Sequence, residues 1–573
     1  MWAWSSDHQA SYLVEDSVAS GCSAPGLPYA PTEFSTRQLE EGTTPCLGLC
    51  VLGVLIYLPA TGQHREASST QVQERLDDLQ TPATQLYPRL GSNLGALTCS
   101  AFTERYASLK NDEVRREVEV VVRGRVHSFR IAGSKLVFLD LVQEGHRIQG
   151  LCNLSQLSTT GLSSEEFRAF CHRLRRGDIF ALRGRPLRTS RGQLSVQVTA
   201  LPELLSPCLH PLPTQLHDKT TRIRNRHTDF LVNQRSSDLI RLRSEIVCYV
   251  RRYFLDDCQT EVQTPILAAR AGGAIARPFA TSATEFPERQ LVLRIAPELW
   301  LKRMIIGGHD RVFEIGPSFR NEGLDPSHNP EFTTCEFYRA YTNIDELMSI
   351  TETLFSGLAR HTTSLIRETF TSINSPNIDF TPPFRQIEFI PAIEAAIRRE
   401  LPDLTSATAQ ADLVNLFHDL AVPLPTSATL PRLLDRLSSL YIEPQCTAPT
   451  FVTNHPECLS PLSKSFAHSG AHRVSARAEL FVNGQELVNM YEEENSPFEQ
   501  RRKFVEQLNY RDDENTASID EDYIEALEWG LPPTGGWGCG IDRLCMLLSG
   551  TSRIGDVLSF GTLRNVAAST KGS

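Results

Sequence analysis

The chain has 573 residues, 40% of them hydrophobic, and a formal net charge of -11. That length exceeds what one core supports, so two or more domains are expected, and the acidic balance excludes a surface shaped throughout for nucleic acid. Fourteen cysteines without a C-x-x-C pair argue for reduced thiols and against a disulfide frame or a thiolate zinc site.

In chain order, residues 1–72 form a leader of no assigned role, expected to be disordered. Its apolar run from Cys46 to Ala60 is shorter than the ~20 residues of a membrane span and too far from Met1 for a secretory signal. Arg37 is the sole Lys or Arg in the first fifty residues, which is poor for a mitochondrial transit peptide. Residues 73–112 read as a helical lead-in, with an amphipathic helix from Gln73 to Gln80 broken at Tyr87-Pro88. Five short strands then follow within residues 113–205: Glu117–Val126, Lys135–Val142, Arg147–Cys152, Asp178–Arg183 and Gln193–Thr199. Residues 121–200 hold 13 basic against 5 acidic residues, so the acidic chain carries one basic module. Five strands, arginines, and Phe129 and Phe138 as stacking surfaces predict an oligonucleotide-binding barrel.

Residues 206–225 read as a linker, the chain being Pro- and Leu-rich over 203–218. From 226 to 567 a larger α+β domain is expected. Helical spacing from Thr228 to Phe254 leads to a strand ending at Pro265, and an antiparallel sheet is predicted over Leu291–Tyr341. Apolar-periodic helices follow at Ile344–Leu358, Gln410–Ala421 and Leu430–Leu440, the last two within a helical insertion at about 370–450.

Three segments carry chemistry. In RVFEIGPSFRNEGLDPSHNPEFTTCEFYRAY, Arg311–Tyr341, two strands flank a polar loop, and alternation puts Arg320 with Glu322, and Glu336 with Tyr338, on shared faces. An arginine there can clamp an α-phosphate. In GWGCGIDR, Gly536–Arg543, glycines at alternate positions bare one face of a strand, so that a flat base can lie against it beneath Arg543. In AELFVNGQELVNMYEEEN, Ala478–Asn495, the Asn483-Gly484 turn brings Glu479 and Glu486 together as hard oxygen donors for Mg²⁺, with Asn489 and Glu493 entering the same cavity.

These segments resemble the class II aminoacyl-tRNA synthetases, and among them the lysine enzymes, over roughly Gln73 to Asn565. FRNEG with HNPEFTTCEFY is similar to the family's second motif in its lysine form, GWGCGIDR to the third, and the helix-strand ending at Pro265 to the first, which forms a dimer interface. TPIL, AGGAIARPF, RIAPELWLKRMIIGG and LSPLSK extend the likeness. Departures are few: Trp300 replaces the usual tyrosine, and Met490 and Tyr491 fill variable positions.

The resemblance implies that Arg320 holds the α-phosphate and substrate carboxylate, with Arg320 and Arg543 catalytic. It implies that Glu322 meets the adenine or amino end of ATP, that Phe332 and Arg543 sandwich the adenine, and that His328 and Asn329 lie by the triphosphate. Glu479 and Glu486 match the metal ligands, Glu486 also facing ATP. Glu298 and Glu493 match the lysine ligands, helped by Glu336, Tyr338 and Asn489, with Gly273 on the α-amino side. In the barrel, Arg125, Phe138 and Gln149 are candidate anticodon contacts.

The implied reaction is adenylation of lysine by ATP, with Mg²⁺, then transfer to the 3′ end of tRNA(Lys) by a homodimer with no membrane association. Two alternatives remain: lysylation of a protein, opposed by the barrel, and a silent RNA-binding paralogue, opposed by the presence of Arg320, Glu479, Glu486 and Arg543. The lack of a Lys-rich leader and the brief ending at Ser573 favour mitochondria, with the cytosol as the other expectation.

Overall fold

The computed structural model describes residues 61–568, except 81–85, 91–95, 158–160, 271, 274–275, 469–471 and 511–518. The apolar run at Cys46–Ala60 and most of the leader therefore lie outside the described residues. Helix α1, Thr61–Leu79, starts a dozen residues before the expected lead-in.

The five expected strands are present, three of them longer than the alternation suggested: β1 Val120–Ala132, β2 Leu136–Gln143, β3 His146–Asn153, β4 Ile179–Arg188 and β5 Leu194–Val198, the last shorter than expected. They pair in the order β1-β2-β3-β5-β4, and β4 returns to β1, closing a barrel. Inward alternate positions such as Val122, Val137, Leu139, Leu141, Leu182 and Val196 fill it.

A buried ion pair ties the lead-in to this barrel. Arg75 Nη2 donates to Asp178 Oδ2 at 2.9 Å, and Asp178 also accepts from the backbone N–H groups of Arg175 and Cys208. Both side chains are essentially inaccessible. Asp178→Asn would leave the arginine buried without its anion, so a loss of about 3–5 kcal/mol is expected in denaturant titration.

The predicted linker contains a short helix, Lys219–Arg224, capped by Asp218. Beyond it, α2 Gln234–Asp256 leads to the two-residue strand Thr260–Glu261. The sheet predicted over Leu291–Tyr341 is interrupted by α3, Glu298–Ile306. Its Leu299, Leu301 and Ile305 spacing reads equally well as strand alternation in so short a piece.

The main sheet contains β6 Arg311–Phe319, β7 Glu331–Ala340, β8 Arg385–Glu388, β9 Thr450–Thr453, β10 Arg477–Val482, β11 Gln485–Glu492 and β12 Thr534–Gly540. Its order is β8-β9-β10-β11-β12-β7-β6, followed by Thr260–Glu261, with antiparallel pairing from β9 to β6. Helix α4, Ile344–Glu368, has a capping box at Asn343 and buries Leu347, Leu354, Phe355 and Leu358 in the same core as α2 and the rear of the sheet. The insertion supplies α5 Phe389–Ile397, α6 Ala409–Asp419 and α7 Leu430–Tyr441 around a separate core. It is not detached, because its β8 adds to the main sheet alongside β9. Three further helices, α8 Pro497–Leu508, α9 Glu521–Glu528 and α10 Ile541–Ser549, complete the domain. No helix among the described residues is long and apolar enough to cross a membrane.

Candidate active site

Strand register builds the site. Across β7, β12, β11 and β10, Glu336, Gly538, Asn489 and Glu479 form one row, and Tyr338, Gly536, Tyr491 and Arg477 the next. Residues between these rows, Phe337, Trp537 and Met490, point into the core behind. The G-W-G-C-G string thus has one cause on each face: Trp537 and Cys539 pack inside, and the glycines floor a groove.

That groove opens into a cavity of about 900 Å³, lined among others by Gly273, Glu298, Arg320, Glu322, Phe332, Glu336, Tyr338, Glu479, Glu486, Asn489 and Arg543. The three motif segments therefore meet. The glycine floor serves a different purpose from the one expected at Gly536. A Cβ there would overlap the Glu493 carboxylate and lie 2.7 Å from the Tyr338 ring, so the space belongs to those side chains and not to a base. Gly538 leaves ordinary contact distance, 3.5 Å, to Glu336.

At the nucleotide end, β6 stops at Phe319, so Arg320 and Glu322 belong to the loop and do not share a strand face as alternation suggested. Arg320 is fixed by its backbone N–H on Pro330 O, and its guanidinium lies over the Phe332 ring, 5.1 Å from the centroid. Phe332 is thus faced by Arg320, whereas Arg543 is held elsewhere. Arg543 donates to His328 Nε2 at 2.5 Å and to Glu486 O at 3.0 Å, while His328 Nδ1 donates to Asp325. Asn329 is occupied structurally: its amide donates to Glu331 O and accepts from the Leu563 N–H. Asp542 accepts from Arg243 and from Thr333 N, anchoring the start of α10 and hence the base of Arg543.

Glu479 is gripped by Arg477 and accepts from His455 Nε2 at 3.0 Å. Burial would push its carboxyl up, but Arg477 and His455 outweigh burial and hold it at about 2. Glu486, pushed up to about 7 by burial and by neighbouring Glu479, is the member whose charge a cation would draw out. A bulge between Leu480 and Phe481 puts Leu487 and Val488 both in the core, which brings Glu486 onto the cavity face with Asn489.

At the other end, Glu336 accepts from Tyr338 Oη at 3.3 Å, and its carboxyl rises to about 8 through burial and neighbouring Glu298. Gly273, at φ +93°, sits against Glu298. Glu493 departs from expectation: it lies behind the cavity wall, ion-paired with Lys302. Lys302, Arg477 and His455 escaped the sequence reading, and Tyr491 entered it only as a variable position, although Lys302 stands one helical turn after Glu298 and Arg477 one strand alternation before Glu479.

In the barrel, Phe138 and Gln149 lie on the outer face, with Arg130 over the Phe138 ring at 4.5 Å. Arg125 instead donates to Gly177 O at 2.7 Å, closing the barrel's edge.

Comparison with known proteins agrees with this architecture. Residues 218–564 match the tRNA synthetases class II (D, K and N), and residues 120–204 match the OB-fold nucleic acid binding domain. Lysine--tRNA ligase cla4 of Cladosporium cladosporioides is 42% identical over 81% of this chain and 79% of its own length. The mitochondrial lysine--tRNA ligase of Schizosaccharomyces pombe is 40% identical over 86% of this chain and 93% of its own length. A probable cytoplasmic lysine--tRNA ligase of Enterocytozoon bieneusi is 38% identical over 86% of this chain and 96% of its own length. With barrel, sheet, motif cavity and these likenesses in agreement, the chain belongs to the class II aminoacyl-tRNA synthetases, in their lysine branch.

Proposed function

We propose that the protein activates lysine with ATP and transfers it to the 3′ end of tRNA(Lys), using the cavity between β7, β12 and β11. The observation that carries this reading is the division of one cavity into an arginine end, Arg320 and Arg543, and a carboxylate end, Glu298 and Glu336. A lysine carboxylate oxygen attacks the α-phosphorus, a P–O bond forms, and the bond to the β-phosphate oxygen breaks to release pyrophosphate. A hydroxyl of the tRNA's terminal ribose then attacks the adenylate carbonyl and expels AMP. No side-chain nucleophile is needed; Arg320 positions both reacting groups and offsets developing charge.

Glu322, His328 and Phe332 receive the adenine and polyphosphate, and Asn329 shapes the loop through its backbone partners. Glu479 and Glu486, two hard oxygen donors facing one cavity, would hold Mg²⁺, which when bound neutralises polyphosphate charge. Glu298, Gly273, Glu336, Tyr338 and Asn489 receive lysine, and Glu493 acts through Lys302. Phe138 and Gln149, with the Arg130 stack beside them, contact the anticodon. The active form is a homodimer in the mitochondrial matrix; sedimentation and imaging of a C-terminally tagged chain check those two points, a cytosolic signal refuting the second.

Pyrophosphate exchange with each amino acid in turn tests the main reading. Exchange dependent on lysine, followed by charging of tRNA, is expected; exchange with a different amino acid alone, or none, overturns it.

The raised Glu336 carboxyl adds a pH signature. Protonated below about 8, it cannot face an ammonium group, so the KM for lysine should fall as pH rises through that value. Glu336→Gln should flatten that dependence in steady-state assays.

A further inference from the structure

Behind the carboxylate end of the cavity lies a lysine of the chain itself. Lys302, on α3, is fully buried, and its Nζ donates to Glu298 Oε1 at 2.7 Å and forms an ion pair with Glu493. The rings of Tyr491 and Tyr523 flank the ammonium, 5.7 and 5.9 Å from their centroids. It is absent from the cavity wall. An ammonium so enclosed by carboxylates and aromatic faces stays charged: burial opposes it, but Glu298 and Glu493 prevail and push its pKa up.

Geometry gives this cation a consequence for the substrate. Glu298 Oε1 is saturated, accepting from Lys302 and from Tyr491 Oη at 2.8 Å. Its other oxygen, Oε2, is left turned towards Gly273, 3.5 Å from where a Cβ on that glycine would stand. One carboxylate oxygen is thus locked and the other aimed along the cavity lining. Charge points the same way. Glu298, Glu336 and Glu493 cluster here, and one resident ammonium leaves carboxyl groups over, which suits a substrate that brings ammonium groups of its own.

We propose that Lys302 is a specificity-determining positioning residue, a built-in ammonium that fixes the direction of Glu298 and sets the pocket's charge for an amino acid with two ammonium groups. The inference rests on the lysine reading of the cavity and goes beyond it, because Lys302 touches no substrate. The groups facing Lys302 are Glu298 on its own helix, Glu493 and Tyr491 from β11 and its continuation, and Tyr523 from α9. Glu336 and Tyr338 of β7 complete the cluster.

The test compares the parent, Lys302→Met, and Lys302→Met combined with Glu493→Gln, each followed by lysine-dependent exchange across pH. Lys302→Met should raise the KM for lysine about 100-fold, leave the KM for ATP unchanged, and move the acidic limb of kcat/KM for lysine upward. Adding Glu493→Gln restores charge balance and should return the limb and recover about tenfold. A Lys302→Met protein with lowered thermal midpoint but parental lysine KM and limb would reduce Lys302 to a packing role and overturn the proposal. Should the single variant fail to fold, the charge-balanced double variant decides. A lysine KM raised about tenfold or more, with the ATP KM kept, supports the hold on Glu298, and a parental lysine KM refutes it. The parent is assayed first: no lysine-dependent exchange by the parent defeats the reading of the cavity, whereas an active parent with an indifferent Lys302→Met defeats only the role of Lys302.

Discussion

Arg320→Lys is expected to lower lysine-dependent pyrophosphate exchange by about 10³-fold, with the fold intact. The guanidinium leaves the loop just after β6, over Phe332 and beside the carbonyl of Ile295. One planar fork can meet an α-phosphate and a carboxylate together, whereas an ammonium is a point charge that must choose. Because Arg320 is only half-buried and has no carboxylate ion pair among the described residues, its replacement should shift thermal stability by less than about 1 kcal/mol. The loss should appear mainly in kcat, since the affected contact strengthens as charge develops on the phosphoryl group. A loss below tenfold would show that attack is organised by other groups.

Gly536→Ala is expected to abolish lysine use while sparing the nucleotide end. An added methyl would coincide with the Glu493 carboxylate and crowd Tyr338, and neither can retreat. Glu493 is held by Lys302, and Tyr338 is packed beneath α3. Overpacking of this kind costs typically about 1–3 kcal/mol of stability. The larger effect is on function: shifting either side chain disturbs the carboxylates that receive the amino acid, so kcat/KM for lysine should fall by at least about 10³-fold. Binding of ATP, measured by calorimetry, should change little because Gly538 and Gly540 remain open. Equal losses towards both substrates would place the glycine's importance in the sheet as a whole.

Much of this is legible in the sequence. Barrel strands carry plain alternation from Glu117 onward, and hydrogen bonding shifted only their ends. The Asn483-Gly484 turn was readable because both residues take positive φ, which that dipeptide favours. Where reading failed, a local signal had two meanings or the decisive neighbour was distant in sequence. Helix α3 is nine residues long, too short for its periodicity to exclude a strand. Glu486 and Asn489 are three apart, an odd separation that regular pleating places on opposite faces; the bulge that unites them leaves no mark in composition. Glu493 looked like a free carboxylate because Lys302 meets it from nearly two hundred residues away. Arg125 looked like a nucleic-acid contact because nothing nearby predicts the Gly177 carbonyl that claims it.

The loop between β6 and β7 is stapled to the far end of the chain: Ile554 N–H binds Pro326 O, and Leu563 N–H binds Asn329. Arg226 grips the same tail through the carbonyls of Asp556 and Leu558. A protein trimmed after Gly550 would therefore keep every charged group that faces ATP yet lose the brace that orders their shared loop. Its weakened hold on the nucleotide would be largely entropic in origin, Ile554 being the cavity-lining residue lost with the tail.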